Sequence, residues 1–190
     1  KFSLARATFL GLALSVVPLS AEPNWIWTRK VAKDGEKATF TKSFSISGKV
    51  RSAKLSFTCD NGATAFINGK QVAENADWNQ PTQAKLNDFL KPGENEIRID
   101  AKNGGSVAGL VAVITLKIGG GGEETLIETG PDWLASETGS TESKPAVVVG
   151  KYGDGPWGKA LIPKTDDADS LPDTTQIQVL PGFKAERIHS

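Results

Sequence analysis

The sequence is poor in the residues on which most enzyme chemistry depends. Its 190 residues include one histidine and one cysteine. The histidine, His189, is the penultimate residue, so a histidine base or a two-histidine metal site is nearly excluded within this chain. The cysteine, Cys59, excludes an internal disulfide and any multi-cysteine metal cluster, and its place among alternating strand residues favours a small core side chain. We expect a chain that is not itself an enzyme and that carries no cofactor and no metal.

The sequence also lacks net charge and the short motifs of nucleotide, metal and acyl-transfer sites. Its 22 basic and 22 acidic residues balance, which removes the electrostatic argument for nucleic acid or an anionic membrane as a partner. It contains no Walker loop, no G-x-S-x-G elbow, no H-E-x-x-H and no C-x-x-C-H. Residues 153–158 do match G-x-G-x-x-G, but Trp157 would crowd a pyrophosphate and no βαβ unit surrounds the match. We interpret this segment as a structured turn.

What the sequence does contain is a series of short strand-like runs separated by turn residues. Twenty glycines and ten prolines suit a β-rich chain, and a hydrophobic content of 38% is enough for one modest core. Apolar and polar residues alternate over Leu55–Cys59, which is the pattern of a half-buried strand. Residues 107–118 are apolar on both faces and predict a central strand that is covered on both sides, at least in part. About eight such runs at regular spacing predict an all-β fold, a β-sandwich.

Two turn signals lie close together in the most strand-like part of the chain. Asp60-Asn61-Gly62 is typical of a tight turn, and Asn68-Gly69 is typical of a type I′ turn, in which both central residues need a positive φ. Two hairpin corners within about ten residues predict a meander of antiparallel strands. The turn accounts for Asn68, so we do not include this residue among the candidate ligand contacts.

Composition divides the chain into four parts. Residues 1–21 carry Lys1 and Arg6, then an apolar run too short to span a bilayer, then Ser20-Ala21, which is the pattern of a secretory signal peptide. We expect a signal peptide at 1–21, a β-sandwich at 22–160, an acidic linker at 161–175 and the start of a truncated second domain at 176–190. The chain is then a fragment of a longer bacterial protein, exported to the periplasm or the exterior without stable membrane insertion.

One polar loop combines an aromatic ring with hydrogen-bonding side chains. Within residues 73–85, Trp78 lies between Asp77 and Asn79. Aromatic faces stack on sugar rings, while carboxylate and amide groups take sugar hydroxyls, so these three residues are the first candidate carbohydrate contacts. Asp60 and Asn61 are the next candidates. The alternative interpretation is that Trp78 only anchors the loop.

A second aromatic feature opens the predicted sandwich. Trp25 and Trp27 stand at i and i+2, which places both rings on the same face of an extended segment. This pair is interpreted as part of an edge strand that covers the core. The alternative is a platform on which a sugar stacks.

Several segments in order resemble a known type of domain. They resemble the galactose-binding-like jelly-roll domains found beside the catalytic domains of bacterial α-L-rhamnosidases and related glycosidases. The segments that carry this resemblance are 25–27, 40–44, 53–62, 66–70 and 90–95, and residues 145–158 look like the tail of such a module. A shorter resemblance, over residues 178–184, is to the entry of the β-propeller in secreted haem-binding dehydrogenase-like proteins of planctomycetes and verrucomicrobia.

The resemblance implies a non-catalytic module that binds carbohydrate or supports a neighbouring domain of an exported protein. The implied partners are a polysaccharide or glycan and a C-terminal catalytic or propeller domain of the same polypeptide. The alternative is the N-terminal accessory part of a secreted enzyme, whose catalytic domain lies beyond Ser190. A C-x-x-C-H motif with propeller repeats after Ser190 would indicate a sugar dehydrogenase-like protein, and a helical region would indicate a glycoside hydrolase.

Overall fold

The fold consists of short strands and turns. A computed structural model describes residues 22–119 and 124–162, which contain twelve strands and no helix. The predicted signal peptide, nearly all of the predicted linker and the predicted second domain lie outside these residues. The strands are β1 (Asn24–Trp27), β2 (Lys37–Ile46), β3 (Val50–Asp60), β4 (Gly62–Ile67), β5 (Lys70–Asn75), β6 (Thr82–Lys85), β7 (Gly93–Lys102), β8 (Gly109–Ile118), β9 (Glu124–Glu128), β10 (Leu134–Glu137), β11 (Lys144–Pro145) and β12 (Val147–Lys151).

The strands form two antiparallel sheets of six strands each. The first sheet has the order β12-β1-β8-β3-β6, and β9 pairs with the later part of β8. The second sheet has the order β11-β10-β2-β7-β4-β5. The prediction of an all-β jelly-roll sandwich is confirmed. Within the two described ranges, no helix is long and apolar enough to cross a membrane.

The core lies between the sheets and follows the predicted alternation of side chains. Inward-facing side chains of β3, β4, β7 and β8 form one hydrophobic cluster, and most of them are fully buried. Burying a large side chain such as Phe57 contributes about 1.5–3 kcal/mol to folding. Cys59 belongs to this cluster, as expected, and its burial raises the pKa of the thiol to about 12.

The prediction of a meander through both turn signals is wrong at the first turn. β3 lies in the first sheet and β4 in the second, so the chain crosses between the sheets at Asn61. β8 occupies one edge of β3 up to Asp60, and β6 occupies the other edge over Lys54–Phe57, so a β3–β4 hairpin could not extend along the strand. The second signal does close a hairpin, β4 with β5, and its central residues have φ of 50° at Asn68 and 80° at Gly69.

The prediction that Trp25 and Trp27 share one face is also wrong. Trp27 packs in the core against Phe40, with ring centroids 5.5 Å apart, whereas Trp25 stacks on Trp157 outside the first sheet, at 4.6 Å. The pairing register of β1 with β12 shifts between Trp25 and Ile26, which interrupts the simple alternation. Both rings are fully buried, so this pair has a structural role and does not form a sugar platform.

Trp157 closes the outer face of the first sheet over two glycines. Its ring lies over Gly109 of β8 and Gly150 of β12, next to Trp25, and it packs with Val111 in a second buried cluster. The segment that matches G-x-G-x-x-G is therefore a turn that carries an anchoring ring. The expectation that the central strand β8 is covered on both faces at least in part is confirmed, since its outer face is buried at Gly109 and Val111, half-buried at Val113 and exposed at Lys117.

We expect Gly109→Ala to destabilise the protein by about 1–3 kcal/mol, because an added Cβ would lie 2.9 Å from carbons of both Trp157 and Trp25. Urea unfolding followed by tryptophan fluorescence measures the change. Gly150→Ala is the matched control, since its Cβ would contact the same two side chains at 3.8 and 3.9 Å. That variant should be neutral or stabilised by up to about 1 kcal/mol. Equal losses in the two variants would contradict the close fit at Gly109.

Candidate functional site

The candidate residues lie at one end of the sandwich, where β3 ends and the β5–β6 loop begins. β3 and β6 run antiparallel, so the end of β3 meets the start of β6. The hydroxyl of Thr58 in β3 donates to the backbone carbonyl of Trp78 at 2.9 Å. The structure thus brings the Asp77–Asn79 loop next to the strand that carries Asp60.

Asn75 fixes this loop, although the sequence did not predict it as a site residue. It is the last residue of β5 and is buried, with 5% of its surface exposed. Its Oδ1 accepts from the Cys59 amide at 3.2 Å, and its Nδ2 donates to the carbonyls of Gln80 at 2.8 Å and Asp77 at 3.1 Å. The predicted polar loop at 73–85 is consequently reduced to 76–81. One asparagine among many polar residues carries no sequence signal of burial.

Trp78 both anchors the loop and borders solvent. Its indole is half-buried and packs against the cluster of Trp25 and Trp157. On one side of it, the exposed Asp77 accepts from the backbone amide of Asn79 at 2.9 Å, which holds the three residues in a tight turn. Trp78 therefore anchors the loop, and its stacking on a sugar stays a prediction.

Asp60 and Asn61 are engaged with the protein itself. Asp60 is buried, and its Oδ2 accepts from the indole Nε1 of Trp157 at 2.9 Å. Asn61 is exposed, and its Oδ1 accepts from the amide of Gly104 at 2.6 Å. Asp60 is thus bonded to Trp157, which belongs to the buried cluster against which Trp78 packs. Trp157 itself could have been suspected from sequence, because a tryptophan in a glycine-rich turn needs a place to bury its ring.

A buried glutamate supports the neighbouring β1–β2 loop. Burial of Glu36 would raise the pKa of its carboxyl, but hydrogen bonds from the Lys33 amide, at 2.9 Å, and the Thr28 hydroxyl outweigh that effect. The Arg29 guanidinium, 3.7 Å away, acts in the same direction. The pKa of Glu36 therefore lies below its ordinary value, so the folded protein favours the charged carboxylate over the protonated acid.

A cleft lies beside the same end of the sandwich, on the outer face of the second sheet. It has a volume of about 400 Å³ and is lined by side chains of β2, β4 and β7 and by Asn75 and Ala76. Ala76 immediately precedes the Asp77–Asn79 loop in the sequence, but the three loop residues do not line the cleft. Across residues 22–119 and 124–162, no three histidine, cysteine, aspartate or glutamate residues are grouped as a metal site would require.

Comparison with known proteins identifies the fold. No family model matches the chain. The α-L-rhamnosidase of Streptomyces avermitilis is 24% identical over 178 residues, and the match covers 83% of this chain and 17% of that protein. A crystal structure of a rhamnosidase from the same species, complexed with L-rhamnose, has a TM-score of 0.66 at 20% identity over 73% of this chain and 15% of the other.

A lectin is similar to the same extent. The lectin of Pleurotus ostreatus in complex with GalNAc has a TM-score of 0.64 at 24% identity, covering 74% of this chain and 45% of the lectin. The chain shares its fold with a minor part of rhamnosidases and with this lectin. The resemblance to rhamnosidase jelly-roll domains is supported at the level of fold. The resemblance of residues 178–184 to a propeller entry lies outside the described residues and stays a prediction.

We expect Asn75→Leu to destabilise the protein by about 2–4 kcal/mol in urea unfolding, because it leaves the Cys59 amide and two loop carbonyls without their partner. Asn87→Leu is the matched control. Asn87 also bonds backbone groups of β3, at Ala53 and Arg51, but it is exposed and water can replace it. Its loss should stay below about 1 kcal/mol. A similar loss of unfolding free energy in both variants would show that the burial of Asn75 does not account for its contribution to stability.

We expect stability to fall in acid partly through Glu36. A carboxyl whose pKa is lowered by folding contributes stability above its unfolded pKa of about 4.5, and this contribution is lost as the pH falls through the folded pKa. Glu36→Gln should therefore be less stable at pH 7 and should lose less stability than the parent between pH 5 and pH 3, measured as Tm at each pH. Glu94→Gln, at an exposed position of β7, is the control. Identical acid profiles for parent and Glu36→Gln would refute this role.

Proposed function

We propose that this chain is a non-catalytic carbohydrate-binding module whose primary contact is the loop Asp77–Asn79. The observation that carries the proposal is the half-buried Trp78, held rigidly between two polar residues at the end of a sandwich. The half-buried indole packs on the apolar cluster, and an aromatic ring that keeps part of its surface at the solvent boundary suits contact with a pyranose ring. The fold shared with a lectin that binds GalNAc supports the same function.

The geometry suggests a division of roles in binding. The ring of Trp78 supplies apolar contact to the sugar, while the carboxylate of Asp77 and the side chain of Asn79 take its hydroxyls. Asn75 and Thr58 fix the loop before the ligand arrives, which lowers the entropy lost on binding. Asp60 is a positioning residue, since it acts through Trp157, and Asn61 extends the polar surface toward the β7–β8 loop.

A supporting role beside a catalytic domain is the second candidate function. The structural matches cover only 15% of the Streptomyces rhamnosidase and 19% of a rhamnosidase from Bacillus sp. GL1, where the TM-score is 0.60 at 20% identity over 71% of this chain. A module of this size would form the accessory part of a secreted glycosidase or sugar dehydrogenase. The signal-like segment 1–21 supports export of that larger protein.

We expect Trp78→Ala to weaken glycan binding about tenfold or more, because the main apolar contact to the sugar is lost. Isothermal titration of the full chain with L-rhamnose, GalNAc and a panel of neutral polysaccharides measures the effect, and circular dichroism checks the fold. Trp78→Phe should retain part of the affinity. Phe66→Ala, a half-buried aromatic on the second sheet, is the control. If no glycan binds, or if Trp78→Ala binds as the parent does, the supporting role replaces the binding role.

A further inference from the structure

A second cleft is lined by residues of both sheets. β10 pairs with β2 only as far as Thr41, although β2 continues to Ile46. In the described ranges, β9 pairs with β8 alone. Residues of β2, of β9 and of the loop that joins β9 to β10 line a cleft of about 390 Å³, here called the β2–β9 cleft. It shares no lining residue with the Asp77–Asn79 loop or with the first cleft.

The β2–β9 cleft has an apolar surface that includes an aromatic ring. Phe44 of β2 and Ile127 of β9 are half-buried and pack against the main core cluster. Leu126 of β9 also lines the cleft and is 42% exposed, so apolar surface remains uncovered there. A phenyl ring at such a surface can contact the apolar face of a sugar ring and also attracts an ammonium group.

Acidic residues outnumber basic ones around this cleft. Its charged lining residues are Glu22, Glu128, Asp132 and Lys42. The Lys42 ammonium donates to the Asp132 carboxylate at 2.5 Å and to the Asp132 carbonyl at 3.4 Å, so these two charges compensate each other. Among the described residues, neither Glu22 nor Glu128 has an ion-pair partner. The cleft therefore carries two uncompensated carboxylates beside its apolar surface.

These two carboxylates disfavour each other in the ligand-free protein. Burial raises the pKa of the Glu128 carboxyl, and the nearby charge of Glu22 raises it further. Both effects act against the charged form of Glu128. A positively charged group in the cleft would reverse them, because it would attract both carboxylates. The complementary ligand thus combines an apolar face with a cation.

We propose that the β2–β9 cleft binds a basic amino sugar, that is, a glycan unit with a free protonated amine. Phe44 and Leu126 contact the apolar face of the sugar ring, while Glu22 and Glu128 hold the ammonium group. Asn24, which also lines the cleft, takes a hydroxyl. The volume of about 390 Å³ is within the range of small-ligand sites. The inference rests on the proposed carbohydrate-binding function and narrows its ligand class at a different set of residues.

The carboxylates are tested with two double variants that change net charge equally. Glu22→Gln/Glu128→Gln alters the β2–β9 cleft. Glu74→Gln/Glu142→Gln is the matched control, because both residues are exposed and neither lines that cleft. The full chain is titrated by calorimetry with an oligomer of glucosamine, at a pH at which its amines are protonated. The N-acetylated form of the same oligomer and poly-L-lysine are titrated in parallel.

The Glu22/Glu128 double variant should bind the glucosamine oligomer about tenfold or more weakly than the parent, and the Glu74/Glu142 variant should change little. Binding of the N-acetylated oligomer should not differ between the parent and either variant, because its nitrogens carry no charge. The ligand-free Glu22/Glu128 variant should have an unchanged or higher Tm, since a disfavoured charge is removed.

The aromatic ring is tested with Phe44→Ala. Phe89→Ala is the matched control, because Phe89 is also half-buried against the same core cluster but does not line the cleft. Phe44→Ala should weaken binding of the glucosamine oligomer about tenfold or more, whereas Phe89→Ala should bind as the parent does. Circular dichroism checks the fold of both variants. Parent-like affinity in Phe44→Ala would overturn the proposal.

Three further results would overturn it. Equal losses in the two carboxylate double variants would indicate diffuse charge attraction. No binding of the glucosamine oligomer would remove the ligand class. Poly-L-lysine binding that depends on Phe44, Glu22 and Glu128 to the same extent would show that the cleft takes basic peptides rather than amino sugars.

The outcome is separable from that of the primary loop. Trp78→Ala reports on neutral glycans, and the Glu22/Glu128 variant reports on the amino sugar. Loss of neutral-glycan binding in Trp78→Ala, together with glucosamine binding that does not depend on Glu22 and Glu128, would refute only the β2–β9 site. Binding of glucosamine that depends on these carboxylates, without any binding of neutral glycans, would support the β2–β9 site and refute the loop contact.

Discussion

The hydrogen bond from the Trp157 indole to the buried Asp60 carboxylate is the interaction on which the end of the sandwich with the candidate loop depends. Asp60 is the last residue of β3, where the chain leaves one sheet for the other, and its register partner Gly109 makes room for the same ring. A buried carboxylate without a partner is costly, so this bond determines where the segment after β12 lies. Trp25 stacks on this ring, and Trp78 packs against the cluster that the two rings form with Val111 and Ala160.

The candidate loop is consequently held from two directions. Trp78 packs against the aromatic cluster outside the first sheet, and Asn75 bonds the loop carbonyls from the end of the second sheet. A six-residue polar loop without such contacts would be flexible and would lose much conformational entropy on binding a glycan. In this protein the loop is already ordered when the chain folds, because the buried side-chain amide of Asn75 uses both its donors and its acceptor in hydrogen bonds.

On the outer face of the second sheet, several charged side chains take partners within the protein. Arg98 lies 4.1 Å above the ring of Phe66 and pairs with Asp100, whose carboxylate also accepts from the Thr39 hydroxyl at 2.9 Å. These contacts join β2, β4 and β7 across this face of the sheet.

The sequence by itself determined the fold class, the core alternation and the Asn68-Gly69 hairpin, because side-chain period and positive φ are local properties. The residue types in one polar loop also predicted Asp77, Trp78 and Asn79 as candidate contacts. Only the tertiary structure decided that Asp60–Gly62 crosses between sheets, that Trp25 and Trp27 point apart, and that Asn75 is buried. Each of these depends on which strand edges are already occupied and which partner lies across the sandwich. Such non-local pairings leave no periodic trace in the chain.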